Sequence, residues 1–134
     1  MRNLFFLSLT VIIISLVFTD SGCKKSSPSS PPEENLKISI DAASFTTTPG
    51  PDFNFNLNVE SVMPARGVQI IYSVTGESDN QSYSQGPVIN TSGKMTRINI
   101  VNLPRQKICI CSVYVNSMSK ITNTATTSFK VAYK

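Results

Sequence analysis

Three thiols, at Cys23, Cys109 and Cys111, are the most reactive side chains in this sequence. Cys23 follows two small residues, Ser21 and Gly22, and is followed by Lys24 and Lys25. Cys109 and Cys111 are two apart, so on a strand both sulfurs turn to the same face. Neighbours on one strand face rarely meet disulfide geometry. That pair is either a soft-ion site for a metal such as Cu(I) or two small buried hydrophobes. We read them as core residues and assign no metal.

The other chemistry-bearing residues form no matched set. Histidine is absent, which removes the commonest general base and metal ligand. Asp41, Asp52, Glu60, Glu77 and Asp79 form no spaced acid pair. Glu77 and Asp79 share a loop with Asn80 and could touch Ca²⁺, but a strong site needs more oxygen ligands and a shaped loop. The serines and threonines have no base to activate them, and neither a nucleophile elbow nor a phosphate-cradling glycine loop occurs. The expectation is no enzyme and no cofactor. Tyr72, Tyr83, Tyr114 and Tyr133 can stack on sugars where exposed, although strand tyrosines more often pack with a wet tip. Tyr83, Arg105 and Lys107 are the candidate residues of binding loops.

The elements that hold these residues begin with a leader. Arg2 and the amino terminus supply positive charge, Leu4 to Phe18 is apolar apart from Ser8, Thr10 and Ser15, and Ser21-Gly22 leads into Cys23. This is the three-part pattern of an export signal. Small residues ending in Gly-Cys resemble the lipobox of bacterial lipoproteins, and Cys-Lys-Lys resembles the Bacteroidetes type; Asp20 stands where that family usually carries Leu, Val or Ala. The resemblance implies that Cys23 receives diacylglycerol and that the bond between Gly22 and Cys23 is cut. An ordinary secretory signal cut near Ser21 is the alternative; a retained membrane helix would need about 20 apolar residues.

Lys24 to Asn35 contains no aliphatic or aromatic side chain, so burial cannot offset its ordering entropy. It reads as a spacer of roughly 20 Å mean reach, with Lys24 and Lys25 placed to meet lipid headgroups. The expected organisation is a signal peptide over 1–22, a lipidated and tethered segment over 23–35 and a domain over 36–134.

From Leu36 the pattern has period two. Leu36, Ile38 and Ile40 alternate with polar residues, as do Phe53, Phe55, Leu57 and Val59. Further strands are expected at Val68–Val74, weakly at Tyr83–Ile89, then at Met95–Leu103, Ile108–Val115 and Thr127–Tyr133. Seven short strands in about a hundred residues, separated by Gly/Pro/Asn turns, predict an all-β, seven-stranded immunoglobulin-like sandwich. The run Leu103-Pro104-Arg105-Gln106 into Cys109, Cys111, Val113 and Val115 resembles the E–F corner of a fibronectin type III domain. Two of that family's marks are missing: the chain has no Trp, and Cys109 occupies the position of the strand-F Tyr.

The net charge of +4 comes from scattered Lys and Arg, a distribution that serves solubility and lacks the basic, aromatic-laced stripe of a nucleic-acid binder. The partners expected are therefore the membrane, through the lipid on Cys23, and a protein or glycan; no nucleic acid is expected. The functional expectation is a lipid-anchored, non-catalytic envelope protein serving adhesion or assembly. The alternative is a carbohydrate- or ligand-binding accessory lipoprotein of an uptake or hydrolysis system. By analogy with enterobacterial sorting, Lys24 directs it to the outer membrane.

Overall fold

The computed structural model describes residues 31–134. The leader, Gly22, Cys23 and the spacer up to Ser30 lie outside the described residues. Nine strands and no helix make up what is described: β1 (Ile38–Ile40), β2 (Phe45–Thr48), β3 (Phe53–Val59), β4 (Val68–Gly76), β5 (Ser82–Tyr83), β6 (Ile89–Thr91), β7 (Met95–Ile100), β8 (Ile108–Ser117) and β9 (Thr124–Tyr133).

They form two sheets. One has the order β1-β3-β7; in the other, β2-β9-β8-β4 continues to β5, with β6 pairing the same strand β4. All pairings are antiparallel except β2 with β9, which is parallel with Phe45 opposite Lys130 and Thr48 opposite Tyr133. The architecture is an all-β, immunoglobulin-like sandwich.

Alternation explains the core. In β3, Phe55, Leu57 and Val59 turn inward while Asn54, Asn56 and Asn58 turn out; β8 sends Cys109, Cys111, Val113 and Val115 inward. Val68, Ile70, Val74, Ile98, Ile100, Phe129 and Val131 complete the facing layers, the two-sheet packing expected of sandwiches. Phe129 of β9 meets Phe55 of β3 edge-on, with ring centroids 4.9 Å apart and an interplanar angle of 72°, so the sheets are joined through an aromatic contact.

Two strands beyond the expected seven have identifiable causes. The segment between the strands expected at Leu36–Ile40 and Phe53–Val59 contains β2. Its sequence Phe-Thr-Thr-Thr has no apolar alternation, and its inward residue, Thr48, is buried with its hydroxyl donating to the Asp52 carbonyl (2.9 Å). The weak strand expected over Tyr83–Ile89 is divided into β5 and β6, which pair opposite halves of β4. Gly86-Pro87 lies between them, where Pro cannot donate to a ladder.

Candidate functional site

The thiols come first. Cys109 and Cys111 are fully buried, and both are unbridged. Cys109 lies between Gly76 and Val131 of the neighbouring strands, Cys111 between Val74 and Phe129. Burial pushes the Cys111 thiol up to about 12 and also raises Cys109, so both remain protonated and weakly nucleophilic. Among the described residues, no three His, Cys, Asp or Glu side chains group into a metal site.

Glu77 and Asp79 sit in a tight turn after β4. Asn80, with φ 52°, donates its N–H to the Gly76 carbonyl (3.0 Å), and the Gly76 N–H returns to Gln81 (2.8 Å). Each acid is claimed by a lysine: Lys130 Nζ lies 2.5 Å from Glu77 Oε1, and Lys107 Nζ lies 2.7 Å from Asp79 Oδ2. The hydrogen bond from Lys107, followed by that from the Gln81 N–H, holds the Asp79 carboxyl below its ordinary range, and the same contact raises Lys107.

The candidate binding-loop residues are thereby separated. Lys107 is engaged by Asp79 and lies close to Tyr83, whose ring is half-buried against the core. Arg105 is exposed and bridges by its backbone to Tyr133, at the β9 side of the sheet. The tyrosines form no common platform: Tyr72, Tyr83 and Tyr133 pack against the core, and only Tyr114 points out from a strand face.

A different surface emerges on the outer face of the six-stranded sheet. Register places Thr126, Tyr114 and Ile71 in one row across β9, β8 and β4, with Ser128, Ser112 and Ser73 in the next. These residues line a shallow groove of about 310 Å³. Phe45, Ile71, Val88, Ile108 and Tyr114 are between 38% and 48% exposed, and the first of them pairs with Lys130 at the sheet edge. Lys130 of β9 lies between Phe45 and Ile110; apart from that charge, an apolar, aromatic-containing patch with hydroxyls between its side chains has the composition of a protein-interface core.

The sequence contained a signal for this face. β8 carries apolar residues at both parities, Ile108, Ile110 and Tyr114 as well as the inward set, a pattern that reads as a strand buried on both sides. A two-layer sandwich can cover only one face of each sheet, so the second apolar set had to emerge at the surface.

The other outer face, on the three-stranded sheet, is polar. Asn56 gives both its backbone N–H and its side-chain Nδ2 to Asp41 (2.7 Å each), which lowers that carboxyl's pKa. With Asn54 and Arg97 they border a second depression of about 290 Å³.

Known proteins offer a likeness among solved structures. No protein-family model matches the chain, and no curated protein matches it. Among solved structures, the solution structure of residues 27–141 of a conjugate transposon protein from Bacteroides vulgatus is similar, with 9% identity and a TM-score of 0.49 over 81% of this chain and 93% of that one.

Proposed function

We propose that this chain is a lipid-anchored, non-catalytic envelope protein whose immunoglobulin-like domain binds a protein partner through the outer face of its six-stranded sheet. The observation that carries the reading is the exposed pair Ile71 and Tyr114 beside a hydroxyl-lined groove, with Ile108 farther along the same face of β8 and Phe45 on the edge strand β2. Anchoring rests on the Ser21-Gly22-Cys23 signal, and outer-membrane placement on Lys24. The finer likeness to fibronectin type III domains is supported by buried Leu103 followed by Pro104 before β8.

Two measurements test this reading. Labelling of cells with a clickable palmitate analogue should mark the wild type and not Cys23→Ala; no label on the wild type removes the anchor. A photo-reactive residue in place of Tyr114 should form a discrete protein adduct in cells that Ile71→Lys abolishes. The same residue at Asn54, on the other sheet, should form none. Equal adducts at both positions, or none at 114, would defeat the binding face.

A second reading, capture of a glycan or small ligand for an uptake or hydrolysis system, is favoured by one observation. Oδ1 of Asn116, buried on the same face two residues beyond Tyr114, has no hydrogen-bond partner. Buried polar atoms usually have one. Glycan-array binding lost in Tyr114→Ala would select this reading.

A further inference from the structure

We infer that the end of the sandwich at which the chain enters the domain rests on an anionic bilayer surface, so that the anchor fixes orientation as well as position. This rests on the lipid-anchor reading above, but the surface is argued from the domain itself.

The incoming chain is fastened at this end. Asn123, buried in the β8–β9 turn, accepts from the Leu36 N–H at Oδ1 (2.8 Å) and donates through Nδ2 to Glu33 Oε1 (2.6 Å) and the Glu34 carbonyl (2.8 Å). Glu34 Oε2 accepts from the Val62 N–H (2.9 Å). Only the nine residues Lys24 to Pro32 then separate Cys23 from the first fastened residue, and a chain of that length, were it flexible, would have a root-mean-square reach of roughly 16 Å. A domain held that close meets the membrane at high effective concentration.

What this end presents suits such a surface. Ile121 is 78% exposed, and Val62 and Met95 are each 68% exposed, the three most exposed large hydrophobic side chains among the described residues. Register and loop contacts gather them. Val62 follows β3, Met95 opens β7 opposite Asn58, and Ile121 lies in the turn after β8. Met118 donates its N–H to the Gly67 carbonyl (3.0 Å) and Ser119 accepts from the Arg66 N–H (3.0 Å), so the adjoining loops are tied together. No loop at the opposite end, over 49–52, 77–81 or 101–107, carries an exposed large hydrophobic residue.

Basic groups accompany the apolar tips. Arg66, Lys94 and Lys120 are exposed at the anchored end and make no ion pair among the described residues; toward the other end Lys107 and Lys130 are paired, while Arg105 and Lys134 are not. The acids of the anchored end are Glu33, Glu34 and Glu60. All three are hydrogen-bonded into the domain, Glu60 by Ser39, and Lys37 lies 3.8 Å from Glu34. Scattered apolar tips among free basic groups are the elements of interfacial membrane contact.

The test couples the chain from Cys23 onward through that thiol to a maleimide lipid on phosphatidylethanolamine–phosphatidylglycerol vesicles. Cys109 and Cys111 are buried and do not compete. Acylation of lysines and peroxide oxidation of methionine are then read by mass spectrometry. Lys94 and Lys120 acylation and Met95 oxidation should slow by roughly fivefold or more relative to the uncoupled chain, with Lys134 unchanged. Ile121→Ser combined with Val62→Ser should reduce this protection, as should phosphatidylcholine vesicles. Unchanged rates at Lys94, Lys120 and Met95 on attached protein would overturn the inference. So would equal protection of Lys134. Because attachment is chemical, this outcome is independent of the palmitate labelling that tests the anchor.

Discussion

The side chain of Gln85 and the backbone of Val101 exchange two hydrogen bonds: Val101 N–H donates to Gln85 Oε1 (2.9 Å), and Gln85 Nε2 donates to the Val101 carbonyl (2.9 Å). Nε2 also reaches the Tyr83 carbonyl (3.1 Å). An amide side chain thus substitutes for a strand where β7 has ended and β5 has given way to Gly86-Pro87. It joins the edge of one sheet to the end of the other. Gln85→Ala should cost about 1–3 kcal/mol, since it leaves part-buried backbone groups without partners. Gln85→Glu should cost at least as much, because at neutral pH a carboxylate oxygen would then face the Val101 and Tyr83 carbonyls to which Nε2 donates. Urea unfolding of the three proteins checks the order.

Gly67 and Gly50 make a matched pair. Gly67 has φ 80°, and a Cβ there would lie 2.4 Å from the Thr91 carbonyl oxygen. Gly67→Ala should therefore cost more than the about 1–2 kcal/mol of left-handed backbone alone. A Cβ at Gly50 meets nothing within 4 Å, and its φ is not positive. Gly50→Ala should be neutral or stabilise by up to about 1 kcal/mol through the unfolded chain. Thermal unfolding of both variants tests the contrast.

The buried thiols give the domain an alkaline limit. Cys111 holds its proton in the folded state up to about pH 12, against about 9 for an ordinary thiol. Its contribution is complete below the ordinary value and is lost as pH rises between the two, at roughly 1.4 kcal/mol per pH unit. Cys111→Ala should flatten that part of the stability profile relative to wild type. Ellman's reagent should leave both Cys109 and Cys111 unmodified at pH 8 until urea is added.

Asn123→Ala should free the chain ahead of β1. Leu36 N–H, the Glu33 carboxylate and the Glu34 carbonyl would lose Asn123, and the Leu36 amide should exchange with deuterium much faster while those of β8 keep their protection. Removal of one buried, fully bonded amide is expected to cost about 1–3 kcal/mol overall. Unchanged exchange at Leu36 would show that other contacts hold this segment.

What could be read from the chain divides along physical lines. Strands such as β3 were legible because Phe55, Leu57 and Val59 are apolar and their neighbours are asparagines. β2 was hidden because a strand whose inward residue is Thr48 shows no alternation. The fastening of Glu33 and Glu34 was invisible, since Asn123 is 90 residues from the first and 89 from the second, and composition marks the acids only as polar. The outer face was present in the spelling of β4 and β8, where Ile71, Ile108, Ile110 and Tyr114 stand at the parity opposite the inward set. The number of layers decides which apolar residues go uncovered, and a local pattern does not carry that number.

The parallel pairing of β2 with β9 orders events in time. β9 is the last strand of the sheet to emerge, yet it lies between β2 and β8 and supplies ladder partners to both. Until Thr124–Tyr133 arrives, β2 has nothing to pair with and β8 has one open edge. The domain then folds through contacts distant in sequence, which form slowly. A sheet whose penultimate place is filled by the last strand made cannot be closed from its early strands alone, so the whole domain is completed in one late step.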